Sequence, residues 1–184
     1  MDIQIDVSNV KIDTPRLLLR PWRKTDLNDL YEYASVDGVG EMAGWKHHKS
    51  IANTRDTLHA FMTDKNVFAL QLKSNAKVVG SLGLHNSWAN CDTKYANFKI
   101  KEIGYVLSKD YWGQGLMPEA VNAILNYCFN VLGLDALTVT HFIDNSQSKR
   151  VIEKNGFTFV TQSEFASKTL NKTFLENRYI LFRK

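Results

Sequence analysis

Cysteine is nearly absent from this chain: there are two in 184 residues, Cys91 and Cys128. Neither sits in a CxxC pair or a metal-spaced cluster, which excludes a zinc-ribbon or disulfide-stapled scaffold. Cys128 falls on an apolar helical face, so a buried free thiol is expected, and that fits a reducing compartment. No apolar run approaches the ~20 residues of a membrane helix. The first residues, MDIQIDVSNVK, are acidic and polar and carry no signal-peptide pattern. The expectation is a cytoplasmic protein with no membrane partner. Dense Lys/Arg runs are also missing, with pairs such as Lys149-Arg150 in their place, so the net charge of +4 does not argue for nucleic acid. His47 and His48 are adjacent, but no third ligand accompanies them, and no metal is expected. No internal repeat and no low-complexity linker divides the chain, so residues 1–184 read as one domain.

What is present is periodic. RLLLRPW (Arg16–Trp22) reads as a strand. Thr25 reads as the N-cap of a helix whose face carries Leu27, Leu30, Tyr31 and Ala34. After the loop VDGVGEMAGWKHHK, Ser50 can cap a second helix bearing Leu58, Phe61 and Met62. VFALQL and VVGSLGL flank the polar turn KSNAK, a hairpin signal. FKIKEIGYVL (Phe98–Leu107) is another strand. Val121, Ile124, Leu125, Cys128, Phe129 and Leu132 then form one apolar helical stripe, with Pro118 in its first turn and Gly133 at its end. ALTVTHF is a strand, Asn145 or Ser146 caps a short helix that stops at Asn155-Gly156, and FTFVTQSEF and TFLENRYILF read as a closing antiparallel pair. This order defines a mixed α/β domain and lacks the strict alternation of a doubly wound sheet.

Between the strand ending at Leu107 and the helix opening near Pro118 lies YWGQGLMPEA, with glycines at 113 and 115. The first N–H groups of a helix have no internal partners, and the dipole adds partial positive charge there. Glycines let an anionic ligand approach those amides without a Cβ in the way. A tight strand-to-helix turn with no ligand is the alternative. A P-loop would need Gly-Lys-Ser/Thr, and a dinucleotide fold would need a third glycine where Pro118 stands; both fit poorly.

EIGYVLSKDYWGQGLMPEA followed by DNSQSKRVIEKNGF resembles the GNAT superfamily of acyl-CoA-dependent N-acyltransferases. More closely it resembles the branch that acetylates the N-termini of ribosomal proteins, the RimJ/RimL type. The resemblance runs from TPRLLLRPWRKTDL to the last strand. It implies one GNAT-like α/β domain, with a predominantly antiparallel central sheet of about seven strands flanked by about four helices. It also implies acetyl-CoA as cosubstrate and an amine as acceptor. The superfamily's pyrophosphate signature, Gln/Arg-x-x-Gly-x-Gly/Ala, maps onto Trp112 to Met117, with Trp112 and Met117 as departures. The cofactor-binding residues it implies are Tyr105, Val106 and Leu107 along the pantetheine arm, and Gly113, Gln114, Gly115, Leu116 and Met117 under the pyrophosphate. Asn145 would hold the pantetheine chain. Lys149, with Arg150 and Lys154, could meet the 3′-phosphate or could be a solvated helix face.

Direct attack of an amine on a thioester needs a neutral amine, donors for the oxyanion and a proton for the leaving thiolate. Asn145 and Ser148 match the family's Asn-x-x-Ser and share one helical face. Ser148 is the expected proton donor, because the tyrosine that many members place a few residues after the asparagine is replaced by Lys149, Arg150 and Val151. Plain helix capping is the other reading of Asn145. Glu102 is the nominated base, a solvent-facing strand carboxylate being its alternative; His141 is the other titratable candidate. An α-amino group, with pKa near 7.7–8.0, is about one-third neutral at pH 7.4, whereas a lysine is neutral about once in a thousand. A site with no strong base therefore favours a peptide N-terminus, with small amines and a non-catalytic acyl-CoA-binding module as alternatives. The oligomeric state stays open, a homodimer among the options.

Overall fold

The computed structural model describes residues 3–184 and keeps the element order read from the sequence, with one short strand added at the front. The strands are β1 (Ile12–Asp13), β2 (Leu17–Pro21), β3 (Val67–Leu72), β4 (Val78–Asn86), β5 (Ile100–Leu107), β6 (Ala136–Phe142), β7 (Thr158–Ser167) and β8 (Lys172–Phe182). The helices are α1 (Leu27–Ala34), α2 (Ile51–Asp64), α3 (Leu116–Asn130) and α4 (Ser146–Lys154). One sheet runs β1-β2-β3-β4-β5-β6-β8-β7. Every neighbouring pair is antiparallel except β5 and β6, which α3 joins as a crossover. Eight strands stand where about seven were expected. β1 is two residues long, too short to show a period, and is held by Ile12 and Asp13 opposite Leu19 and Leu18.

Alternation along the strands sends side chains to two cores. Leu82, Leu84, Ile103, Leu137 and Val139 pack on one face against Val121, Ile124, Cys128 and Ile152 of α3 and α4. Val67, Ala69 and Val78 pack on the other against Trp22 and against Leu30, Tyr33 and Leu58 of α1 and α2. The stripe expected on α3 is the face that packs. Cys128 is a buried free thiol, and burial pushes its pKa up to about 12. On α1 it is Tyr33, not Tyr31, that is fully buried.

Thr25 does not cap α1. A 3₁₀ turn covers Lys24–Asp26, and the helix starts after Asp26. The Asp26 carboxylate accepts from Arg23 N at 2.8 Å and takes both terminal nitrogens of buried Arg20 at 2.8 Å each. A buried guanidinium needs a carboxylate, and a threonine hydroxyl cannot meet that demand. Ser50 does cap α2, accepting from Asn53 N.

The feature that positions the site is a divergence. β5 and β6 pair through Ile100–Ile103 and Ala136–Val139 alone. β5 then continues beside β4 to Leu107, while β6 continues beside β8 to Phe142. From Gly104 onward the β6-facing edge of β5 has no strand partner.

Candidate active site

The glycine loop crosses the end of this divergence. Gly113 and Gly115 both have φ of +75°, in the left-handed region that side chains disfavour, and α3 begins directly after Gly115. Among the described residues, none of the backbone amides from Gly113 to Met117 donates to a protein acceptor. Five successive free N–H groups at a helix start form an anion nest. Trp112, at the position of the signature's Gln/Arg, ties the loop to the strand, because its Nε1 donates to Leu107 O at 2.8 Å.

Opposite the loop, Asn145 caps α4, its Oδ1 accepting from Ser148 N at 3.0 Å, and its Nδ2 donates to Met42 O at 3.3 Å. Ser148 is buried. Its Oγ lies 2.8 Å from the hydroxyl of Tyr105, which also donates to Ser148 O at 3.3 Å. Burial pushes the Tyr105 phenol well above its ordinary pKa. The sequence pointed to the Tyr105 backbone alone; its hydroxyl reaches Ser148 from β5, forty-three positions away in the chain, and no local spacing could have announced it.

Glu102 lies on the face of the sheet that packs against α1 and α2. Its carboxylate accepts from the hydroxyls of Thr138 and Thr140 at 3.2 and 3.3 Å, and from Trp88 N at 3.4 Å. Burial pushes its pKa up, the Trp88 and Thr138 hydrogen bonds oppose that, and the charge of Glu176 adds to the rise. Glu176 is itself buried and accepts from Arg178 Nε at 2.9 Å, and the Arg178 guanidinium lies 5.4 Å from the Trp88 ring. Glu176 and Arg178 went unnoticed in the sequence because they belong to the last strand, two positions across the sheet from Glu102.

His141 is structural. Its Nδ1 bonds Phe142 O at 2.7 Å and its Nε2 bonds Tyr179 Oη at 3.1 Å, so both ring nitrogens are engaged. His48 is held between Thr54 and Thr57 beside Trp45, and burial lowers its pKa, with His47 adding to the effect. His47 turns to Glu41 at 2.9 Å. Asp37, Glu41 and His47 bring ligand atoms within 4.8 Å of one another, a grouping invisible as sequence spacing. Glu41 there already accepts from the amides of Gly38 and His47, so the cluster closes the loop on itself.

One cleft of about 1310 Å³ joins these parts through the divergence of β5 and β6. Tyr105, Val106, Leu107, Gly113, Gly115, Leu116, Met117, Asn145 and Ser148 line it, and so does Glu102. Gln114 and Lys149 do not. The Gln114 side chain donates to Asp110 O, and Lys149 pairs with Glu153 at 3.8 Å on the exposed side of α4, while Arg150 and Lys154 face the cleft. Trp45 and Trp88 line it; Trp22 is a core anchor packed on Phe61. Gly83 and Gly104 oppose each other on β4 and β5, and a Cβ at either would press on the His85 ring, at 2.3 and 3.2 Å. The paired glycines let that imidazole lie flat against the sheet at the cleft.

Free amides at a strand–glycine–helix junction, beside an unpaired strand edge, suit a ligand that carries both an anionic group and an extended chain. Residues 16–158 match the acetyltransferase (GNAT) domain family, and the chain belongs to that family of acetyl-CoA-dependent N-acetyltransferases. It is 24% identical over 151 residues to the uncharacterized N-acetyltransferase YoaA of Bacillus subtilis (strain 168), covering 79% of this chain and 81% of that one. It is 31% identical over 85 residues to the ribosomal-protein-serine acetyltransferase of Escherichia coli (strain K12), covering 45% of this chain and 48% of that one. Its fold is that of a GNAT-family acetyltransferase from Bacillus anthracis, with a TM-score of 0.81 at 24% identity, covering 94% of this chain and 98% of the other. Among the described residues no helix is long and apolar enough to cross a membrane.

Proposed function

We propose that the chain moves an acetyl group from acetyl-CoA to a primary amine, with a peptide N-terminus as the preferred acceptor. The observation that carries the donor placement is the run of free amides from Gly113 to Met117 beside the unpaired edge of β5. The pyrophosphate rests on those amides, and the pantetheine arm lies along Tyr105 to Leu107 in the manner of an added strand. Asn145 borders the arm. The thioester then sits in the divergence, between Ser148 on one side of the sheet and Glu102 on the other.

The reaction is a direct displacement. The amine lone pair forms the new C–N bond as the thioester C–S bond breaks. Glu102 accepts a proton from the amine, directly or through water, and its raised pKa makes it a better base than an ordinary carboxylate. Ser148 donates its hydroxyl proton to the departing thiolate and is recharged by the Tyr105 hydroxyl at 2.8 Å. Two carboxylates, half-buried Glu102 and buried Glu176, against one guanidinium, Arg178, leave a net negative floor that attracts an ammonium group. Partial similarity to the E. coli ribosomal-protein-serine acetyltransferase supports a peptide N-terminus over an internal lysine. The deciding experiment is competition within one peptide carrying a free N-terminus and a lysine, read by mass spectrometry. Acetyl found on the N-terminus supports the acceptor reading. Acetyl found on the lysine alone, or on neither while a small amine turns over, overturns it.

A further inference from the structure

We infer that Arg16, nearly a hundred residues away in sequence, is the positioning residue that keeps the phosphate loop in its anion-binding form. The inference rests on the reading above that this loop holds the CoA pyrophosphate. Arg16 stands at the entry to β2, and its side chain lies against the start of α3. Its Nη1 donates to the carbonyl of Gln114 at 2.8 Å and its Nε to Glu119 Oε2 at 2.7 Å. Glu119 is fixed in turn, because its Oε1 accepts from Arg16 N at 2.8 Å and from Thr14 Oγ1 at 2.6 Å. The guanidinium therefore reaches Gln114 from a carboxylate anchored on α3 itself.

Gln114 C=O and Gly115 N–H belong to one planar trans peptide, so they point in opposite directions. Arg16 holds the carbonyl on the outside of the loop, which aims the Gly115 amide inward with its free neighbours. The plane turns about Gln114 ψ and Gly115 φ. Glycine accepts either sign of φ, so nothing in the covalent chain of this loop prevents the peptide from flipping. A flipped peptide would present a carbonyl oxygen to a phosphate and replace attraction by repulsion. The fork of Arg16 supplies the missing restraint: one nitrogen anchors on Glu119 while another holds Gln114 O, a geometry that a lysine's point charge cannot reproduce.

The test compares two donors. Acetyl-CoA carries the pyrophosphate, whereas S-acetyl-pantetheine has the same thioester and no phosphate. Arg16→Met and Arg16→Lys are expected to weaken acetyl-CoA binding about tenfold in calorimetry, the scale of one charge-assisted hydrogen bond. They should leave kcat at saturating acetyl-CoA and kcat/KM for S-acetyl-pantetheine within about twofold of wild type. Three results overturn the inference: unchanged acetyl-CoA affinity, full recovery of affinity in Arg16→Lys, or equal losses with both donors. If Arg16→Met does not fold, Arg16→Lys decides alone, by a tenfold loss or by wild-type affinity. Failure of the wild-type protein to bind acetyl-CoA would instead defeat the donor reading on which the inference stands.

Discussion

Ser148 and Tyr105 share a partly buried hydrogen bond of 2.8 Å, and that single contact separates two accounts of the leaving group. If the serine supplies the proton and the tyrosine recharges it, Ser148→Ala should lower kcat by about 10² while acetyl-CoA affinity stays near wild type. Tyr105→Phe should lower kcat less, because water can recharge the serine. A kcat within about twofold of wild type in Ser148→Ala would move the role elsewhere. Glu102 makes a second prediction. As a base it must be ionised, so activity rises with pH as the carboxyl loses its proton. Burial, with Glu176 adding its charge, places that midpoint above the ordinary carboxylate value. The acid limb of kcat should therefore lie above that value and disappear in Glu102→Gln, together with most of the rate. A limb that persists unchanged in Glu102→Gln belongs to another group. Both residues could be named from the sequence because each stands in a short motif context. Tyr105's hydroxyl and Arg16 could not, because their partners lie on other elements, and Glu176 could not, because only the sheet brings its charge near Glu102.

At the scale of elements, α3 with its glycine entry was the most legible part of the chain. A single apolar stripe fixed the buried face, and two glycines at φ +75° fixed the turn that precedes it. The N-terminus of α1 was misread because Thr25 and Asp26 both suit a cap locally, and the choice is made by buried Arg20, a tertiary demand. β1 left no trace because two residues carry no period. The glycine loop gives the prediction proper to this scale. Gly115→Val forces a branched side chain into the left-handed region, at a cost of about 1–2 kcal/mol of strain. It should weaken acetyl-CoA binding by about tenfold or more, measured by calorimetry on protein whose circular dichroism is unchanged. Unchanged affinity would remove the loop from the donor site. Asn145→Ala, which deletes a cap bond of 3.0 Å, should cost about 1 kcal/mol of stability in urea unfolding.

For the whole molecule, the proposed donor site lies between two parts of one sheet that meet through four paired positions of β5 and β6. Acetyl-CoA bound only to the folded state at a hundred times its dissociation constant adds about 2.7 kcal/mol, so the melting temperature should rise by about 5–10 °C. S-acetyl-pantetheine, without the phosphates, should raise it less at equal concentration. A melting temperature that ignores acetyl-CoA would contradict the proposed donor site.

The same divergence has a kinetic consequence. One cleft takes in Glu102 from one face of the sheet and Ser148 from the other, so the wall that the amine would face has a gap where β5 and β6 part. In the proposed donor placement the pantetheine arm would fill that gap, and the thioester would become part of the chamber wall. Addition should therefore be ordered, with acetyl-CoA entering first and free CoA leaving last. A non-reactive analogue of the acceptor should then inhibit uncompetitively against acetyl-CoA, since its binding surface is completed by the donor. A competitive or mixed pattern would show that the chamber holds the amine unaided.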